Sequence, residues 1–178
     1  MRKLSMDELG RKTVQEFRLS EKTPLVLVLD NVRSMHNVGS IFRTADAFLL
    51  ESIVLCGYTP QPPHRDIHKT ALGATETVQW RYAASLKEAV EELINNGYKV
   101  WAIEQAEGSR MLNEFEPEAG EKLALILGNE VEGVQASVLP LCEGCIEVPQ
   151  LGMKHSLNVS VTAGIVAWDL FSKIRSNA

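Results

Sequence analysis

Three short stretches carry the side chains with chemical capacity. In residues 123–134, LALILGNEVEGV, an apolar run stops at Gly128-Asn129-Glu130 and meets a second glycine at Gly133, the pattern of a buried strand ending in a tight polar loop. A second apolar run, residues 145–148, leads through a Pro-Gly loop to Ser156-Leu157-Asn158, which opens an apolar helix. Two strand ends thus deliver glycines, amides and a helix N-terminus, where open α/β sheets place ligands. The third stretch holds Asn37, Gly39 and Arg43. Gly39 lies four residues before Arg43 on the same helical stripe, and its missing side chain leaves room beside a guanidinium for a phosphate or a ribose. The alternative is a surface arginine paired with Asp46 and a glycine without consequence.

The elements that must position these residues follow from the hydrophobic pattern. After Pro24, LVLVLD is a continuous apolar run typical of a strand covered on both faces of a parallel sheet. A polar loop over 32–36 follows, with Asn37 a candidate N-cap. Ile41, Ala45 and Phe48 make the buried face of that helix, and Arg43 lies about 160° around it from Ala45. Residues 52–56 form a second strand. The loop over 57–69 is stiffened by Pro60, Pro62 and Pro63 and carries His64, Arg65, His68 and Lys69, with no catalytic role assigned to either histidine. Residues 86–95 are an amphipathic helix with Leu86, Val90, Leu93 and Ile94 inside, ended by Asn96-Gly97, and 99–103 is the next strand. Glu-rich residues 104–122 read as a solvated excursion. The final helix, 156–173, is apolar nearly all round, which suits both a core position and a dimer interface. Strand and helix alternate, so the expected fold class is α/β, a mostly parallel sheet flanked by helices, without internal repeats.

What is missing narrows the chemistry. There is no GxxxxGK[ST] loop and no GxGxxG after the first strand, which argues against nucleoside triphosphates and Rossmann dinucleotides. No His and carboxylate cluster has metal spacing and no serine sits in a nucleophile elbow, so no metal is expected. Cys142 and Cys145 have CxxC spacing with no second pair; they read as buried thiols, with His155 the conceivable third ligand of a zinc alternative. A loop-built pocket of amides and glycines for an uncharged or zwitterionic ligand remains.

The segments NVGSIFRTADAF, LILGNEVEG and VPQLGMKHSLNVSVTAGI resemble, in order, the three motifs of the SpoU (TrmH-like) RNA 2′-O-ribose methyltransferases of the SPOUT superfamily. The resemblance covers about residues 24–171. It implies a C-terminal trefoil knot, a homodimer whose two chains build the active sites, and S-adenosylmethionine held by Leu127, Gly128, Glu130, Gly133, Ile146, Leu157 and Asn158. The residue matching the catalytic arginine is Arg43, which stays protonated with a pKa above about 12 and is therefore expected to fix a phosphate beside the ribose and perturb its 2′-hydroxyl. Asn37, Glu130, Ser156 and Asn158 are expected to orient Arg43, substrate and cofactor, although each could be a cap or turn residue instead, Ser156 above all. Arg33, His36, Arg43, Arg65 and Lys69 are the candidate substrate-binding cations. Leu49-Leu50 stands where the family usually has a glycine, which is expected to alter a turn, and Gln150 stands where a methionine usually follows the proline. The implied activity is 2′-O-methylation of tRNA or rRNA; a non-catalytic RNA-binding or scaffolding dimer is the rival.

A net charge of −5 argues against a general nucleic-acid binder, but the charge is unevenly spread. Residues 84–132 hold 11 acidic and 4 basic side chains, residues 1–22 hold 6 basic and 4 acidic. RNA would then be bound through few phosphates. Residues 1–22 form a helical extension on a domain of 23–178. Within it, 2–19 read as one amphipathic helix, Leu4, Leu9, Val14 and Phe17 among Arg2, Lys3, Arg11, Lys12 and Arg18: a docking helix or an RNA-contacting arm. No stretch approaches a membrane span and the charged start lacks a signal-peptide core, so a cytoplasmic protein with no membrane partner is expected.

Overall fold

The computed structural model describes residues 1–5, 7–10, 12–153 and 156–176. Arg11 and His155, and with His155 the third zinc ligand considered above, lie outside the described residues. Strand β1 (Thr23–Asp30) pairs in parallel with β2 (Leu50–Cys56) on one side and β6 (Lys122–Leu127) on the other. Both edges of β1 are thereby paired, and the side chains on both its faces are buried, which is why its sequence is apolar without alternation. Leu25, Leu27 and Leu29 point into one core and Val26 and Val28 into the other, the two-residue period of a pleated strand. Strands β3 (Gln79–Ala83), β4 (Tyr98–Ile103), β5 (Arg110–Met111) and β7 (Gly144–Glu147) complete a parallel seven-stranded sheet of order β3-β2-β1-β6-β4-β7-β5.

Helices α2 (Met35–Ala47), α3 (Arg65–Ala71), α4 (Ala74–Thr77) and α6 (Val159–Ser176) cover the leucine face through Ile41, Ile67, Ala74 and Val166, joined by Phe17 of α1 (Val14–Leu19). Helix α5 (Leu86–Asn95) covers the valine face with Leu86, Ala89, Val90 and Leu93. That set is i, i+3, i+4, i+7, so Ile94, expected inside, falls beyond its edge and is 41% exposed. Among the described residues no helix is long and apolar enough to cross a membrane.

Several boundaries differ from expectation, each for a local reason. The N-terminal helix is two pieces: Gly10, at φ +57°, interrupts it, and α1 restarts at Thr13 through a capping box in which the Glu16 carboxylate accepts the Thr13 N–H at 2.7 Å. Leu4, Leu9 and Val14 are left exposed. Helix α2 is capped by Ser34, whose hydroxyl accepts the Asn37 N–H at 3.3 Å, so Asn37 is not the cap and its side chain is available elsewhere. The 57–69 loop is shorter than expected because His64 caps α3, its Nδ1 accepting the Asp66 N–H at 3.2 Å. Asn158, not Ser156, starts α6: its carboxamide oxygen accepts the N–H groups of Ser160 at 2.9 Å and Val161 at 3.4 Å. Residues 104–122 are only partly solvated. Leu112 and Phe115 are buried there, and Lys173 of α6 donates to both their carbonyls at 2.7 and 2.8 Å.

The room read beside Gly39 is occupied. A Cβ on Gly39 would lie 2.1 Å from Thr70 Oγ1 and 2.3 Å from the Ile67 carbonyl oxygen, so this glycine lets α2 and α3 touch rather than admitting a ligand. The turn at Leu49-Leu50 keeps the conformation of a glycine turn, with Leu49 at φ 51°.

Candidate active site

The chain lays β1, β2 and β3 outward in one direction, then returns to build β4 and β6 on the other side of β1. Crevices open at the carboxyl ends of parallel strands where the order reverses in this way. A cleft of about 540 Å³ opens at the ends of β6, β4 and β7. All of the residues expected around a cofactor line it: Leu127, Gly128, Glu130, Gly133, Ile146, Leu157 and Asn158, with Ser156 and Gln150. Leu127 and Ile146 are strand ends; the rest are loop residues, and the path of the loop over 128–133 is fixed by glycine. A Cβ on Gly128 would lie 2.2 Å from the Gly133 carbonyl carbon, and Gly133 itself sits at φ +72°. That closeness lets Asn129 and Gly133 exchange two backbone hydrogen bonds, 3.0 and 2.9 Å.

Three groups that hold this loop were not foreseen as functional. Buried Asn129 donates through Nδ2 to the Asn31 carbonyl at 2.8 Å and accepts the Val131 N–H at 2.8 Å. Glu104, at the end of β4, accepts the N–H groups of Val134 at 3.1 Å and Gln105 at 3.0 Å. Fully buried Asp30 accepts the Gln135 N–H at 2.8 Å. Asn129 lies inside a motif quoted above, and Asp30 is a carboxylate ending an apolar strand; both signals were in plain view.

The polar residues expected to orient the reaction meet in one network. The Glu130 carboxylate accepts the N–H groups of Arg33 at 3.2 Å and Ser34 at 3.4 Å and the Asn37 side-chain amide at 3.1 Å. A carboxylate only accepts, so Asn37 must turn its NH₂ to Glu130 and its oxygen away. That oxygen accepts Asn158 Nδ2 at 3.2 Å and the Ser160 hydroxyl at 3.5 Å. Partial burial pushes the Glu130 carboxyl up, but the N–H groups of its own residue and Arg33, the Asn37 amide and the Ser34 N–H outweigh it and hold the group below its ordinary value.

Arg43 lies apart from this network. It is exposed and lines a second groove with Ser40, Thr44, Lys69, Thr70 and Gly164. The Asp46 pairing considered for it does not form; Asp46 instead accepts the Thr77 hydroxyl. Of the other candidate cations, Arg33, His36, Arg65 and Lys69 are all exposed, Lys69 pairing with Asp66 at 2.6 Å. Cys142 and Cys145 are half-buried free thiols, Cys142 pushed up by burial to about 11. Among the described residues no three His, Cys, Asp or Glu side chains are grouped to hold a metal.

A parallel open α/β sheet with a loop-built cleft at its strand ends defines a class of small-ligand-binding α/β protein. Within that class the chain belongs to the SpoU rRNA Methylase family, which its residues 24–168 match. It is 31% identical over 160 residues to a TrmH family protein of Staphylococcus saprophyticus, covering 90% of this chain and 63% of that one. It is 30% identical over 168 residues to the 23S rRNA (guanosine-2′-O-)-methyltransferase RlmB of Vibrio parahaemolyticus, covering 94% and 66%. The chain thus spans just under two thirds of the length of these curated relatives. An AdoMet-bound rRNA methyltransferase from Sinorhizobium meliloti superposes with a TM-score of 0.78 at 25% identity, covering 84% of this chain and 56% of that one.

Proposed function

We propose that the protein transfers a methyl group from S-adenosylmethionine to a ribose 2′-hydroxyl of tRNA or rRNA. The observation that carries the reading is the cleft at the ends of β6, β4 and β7, lined by every residue that the family resemblance marks for the cofactor. Its volume, about 540 Å³, is that of a small-molecule site, and its rim of Glu104, Glu130, Glu132 and Glu147 suits a ligand bearing cationic sulfonium and ammonium groups. Leu127, Gly128, Gly133, Ile146 and Leu157 would hold the cofactor, which supplies an electrophilic methyl on a good leaving group. The protein's own part is then to position the hydroxyl, whose proton leaves to solvent water as the oxygen–methyl bond forms and the sulfonium–methyl bond breaks. Arg43 holds the phosphate next to the target ribose and perturbs its 2′-hydroxyl, while Glu130, Asn37 and Asn158 keep the cofactor loops in register with α2.

The protein works as a homodimer with a C-terminal trefoil knot, in the cytoplasm, residues 1–22 forming an extension on the domain of 23–178. The separation of Arg43 from the cleft supports the dimer, since a partner subunit's cleft would have to come to Arg43. Labelled S-adenosylmethionine incubated with separated tRNA and rRNA from cells lacking the protein tests the reading. Label should enter one RNA class as an alkali-resistant 2′-O-methyl linkage, and Arg43→Ala should reduce the rate by a hundredfold or more, about 3 kcal/mol of transition-state stabilisation. Cofactor binding without transfer to either RNA would move the reading to another acceptor, and no cofactor binding would favour a scaffold.

A further inference from the structure

We infer that Tyr58, with Arg33 beside it, is a stacking platform for an unpaired nucleobase adjacent to the methylated ribose. The inference rests on the RNA-methyltransferase reading and identifies part of how that substrate is held. Tyr58 is 58% exposed, although the backbone around it is firmly fixed. Its N–H donates to Asn31 Oδ1 at 3.1 Å, and the preceding Gly57, at φ +62°, allows this because a Cβ there would lie 2.0 Å from that same oxygen. The following Thr59 is buried, its hydroxyl donating to the Leu29 carbonyl at 3.1 Å and accepting the Val32 N–H at 3.1 Å. An anchored turn therefore presents a large aromatic ring to solvent at a fixed position.

The turn's surroundings identify the ligand. The Arg33 guanidinium carbon lies 5.9 Å from the centre of the Tyr58 ring, and the Arg33 N–H donates to Glu130 of the orienting network at 3.2 Å. Asn31, which holds Tyr58, gives its carbonyl to Asn129 of the cleft loop at 2.8 Å. Ring and cation are thus tied to the same frame that lines the cleft. Aromatic faces and guanidinium planes take bases of any sequence by stacking, and the cations take the phosphate between neighbouring nucleotides.

The test compares wild type, Tyr58→Ala, Tyr58→Phe and Arg33→Ala in binding and methylating separated unmodified tRNA and rRNA. Tyr58→Ala should weaken RNA binding and raise the RNA KM by about 10- to 100-fold while the S-adenosylmethionine KM and Tm stay at the wild-type values. Tyr58→Phe keeps the stacking face and should restore binding to within about threefold. Arg33→Ala should lower the salt dependence of binding by about one phosphate contact, which Tyr58→Ala should not change. Wild-type behaviour of Tyr58→Ala would overturn the platform and leave the methyltransferase reading standing. So would an equal loss of cofactor and RNA affinity, which marks a structural role, or dissociation of a wild-type dimer, which marks an interface. Failure of wild type itself to bind or methylate either RNA would overturn the underlying reading and the platform with it.

Discussion

The three hydrogen bonds that Glu130 accepts from Arg33, Ser34 and Asn37 make its charge a structural element of the site. Its folded-state pKa is depressed below that of an unfolded glutamate carboxyl, which titrates at about 4.3. A depressed carboxyl contributes stability that is present above the unfolded pKa and is lost as the pH falls through the lower folded value. Glu130→Gln should therefore melt at a lower temperature than wild type at pH 7, and the gap should narrow as the pH drops below about 4. Thermal melts of both proteins across that range check this; a gap that does not change with pH would show that shape, not charge, is what the site needs. The sequence made Glu130, Asn37 and Asn158 visible only as members of separate motifs. Their meeting could not be read, because Asn37 bonds partners 93 and 121 residues away and only the sheet order brings those loops together. The turn after β6 was legible because a glycine pair five residues apart states its own geometry locally.

At the scale of elements, periodicity located β1, β2, β4, β6 and α5 to within a residue or two, because each has a face or faces wholly in the core. It missed β3, an edge strand with no fully buried residue in QWRYA, and the buried turn at Leu112 and Phe115, whose apolar residues are few among glutamates. It misjudged Gly39, since a glycine opposite a neighbouring helix and a glycine opposite a ligand have the same spacing. The two roles predict different failures. Gly39→Ala places a methyl against the Ile67 carbonyl, a backbone atom that cannot swing aside, and should destabilise by about 2–3 kcal/mol, or roughly 5–10 °C in Tm. A variant that melts like wild type but binds RNA poorly would instead restore the ligand-facing role.

For the whole molecule, the exposed face of α6 governs assembly. Val161, Ile165 and Trp168 are 49%, 38% and 58% exposed and repeat at i, i+4, i+7, an apolar stripe with no cover in one chain. Gly164 lies on the same stripe and also lines the groove that holds Arg43. A second copy seated on the stripe would stand beside Arg43, so the arginine of one chain would serve the cleft of the other. Mixed dimers separate this from action within one chain. Arg43→Ala keeps an intact cleft and Asn158→Ala keeps an intact arginine, and each alone should be nearly inactive. If Arg43 acts across the interface, a heterodimer of the two holds one complete site, and mixing them after mild dissociation should restore methyl transfer toward half the wild-type rate per heterodimer. If it acts within its own chain, every site keeps one defect and mixing restores nothing. Trp168→Glu supplies the control: it should yield a folded monomer with normal secondary structure, and neither variant should then rescue the other when both carry it.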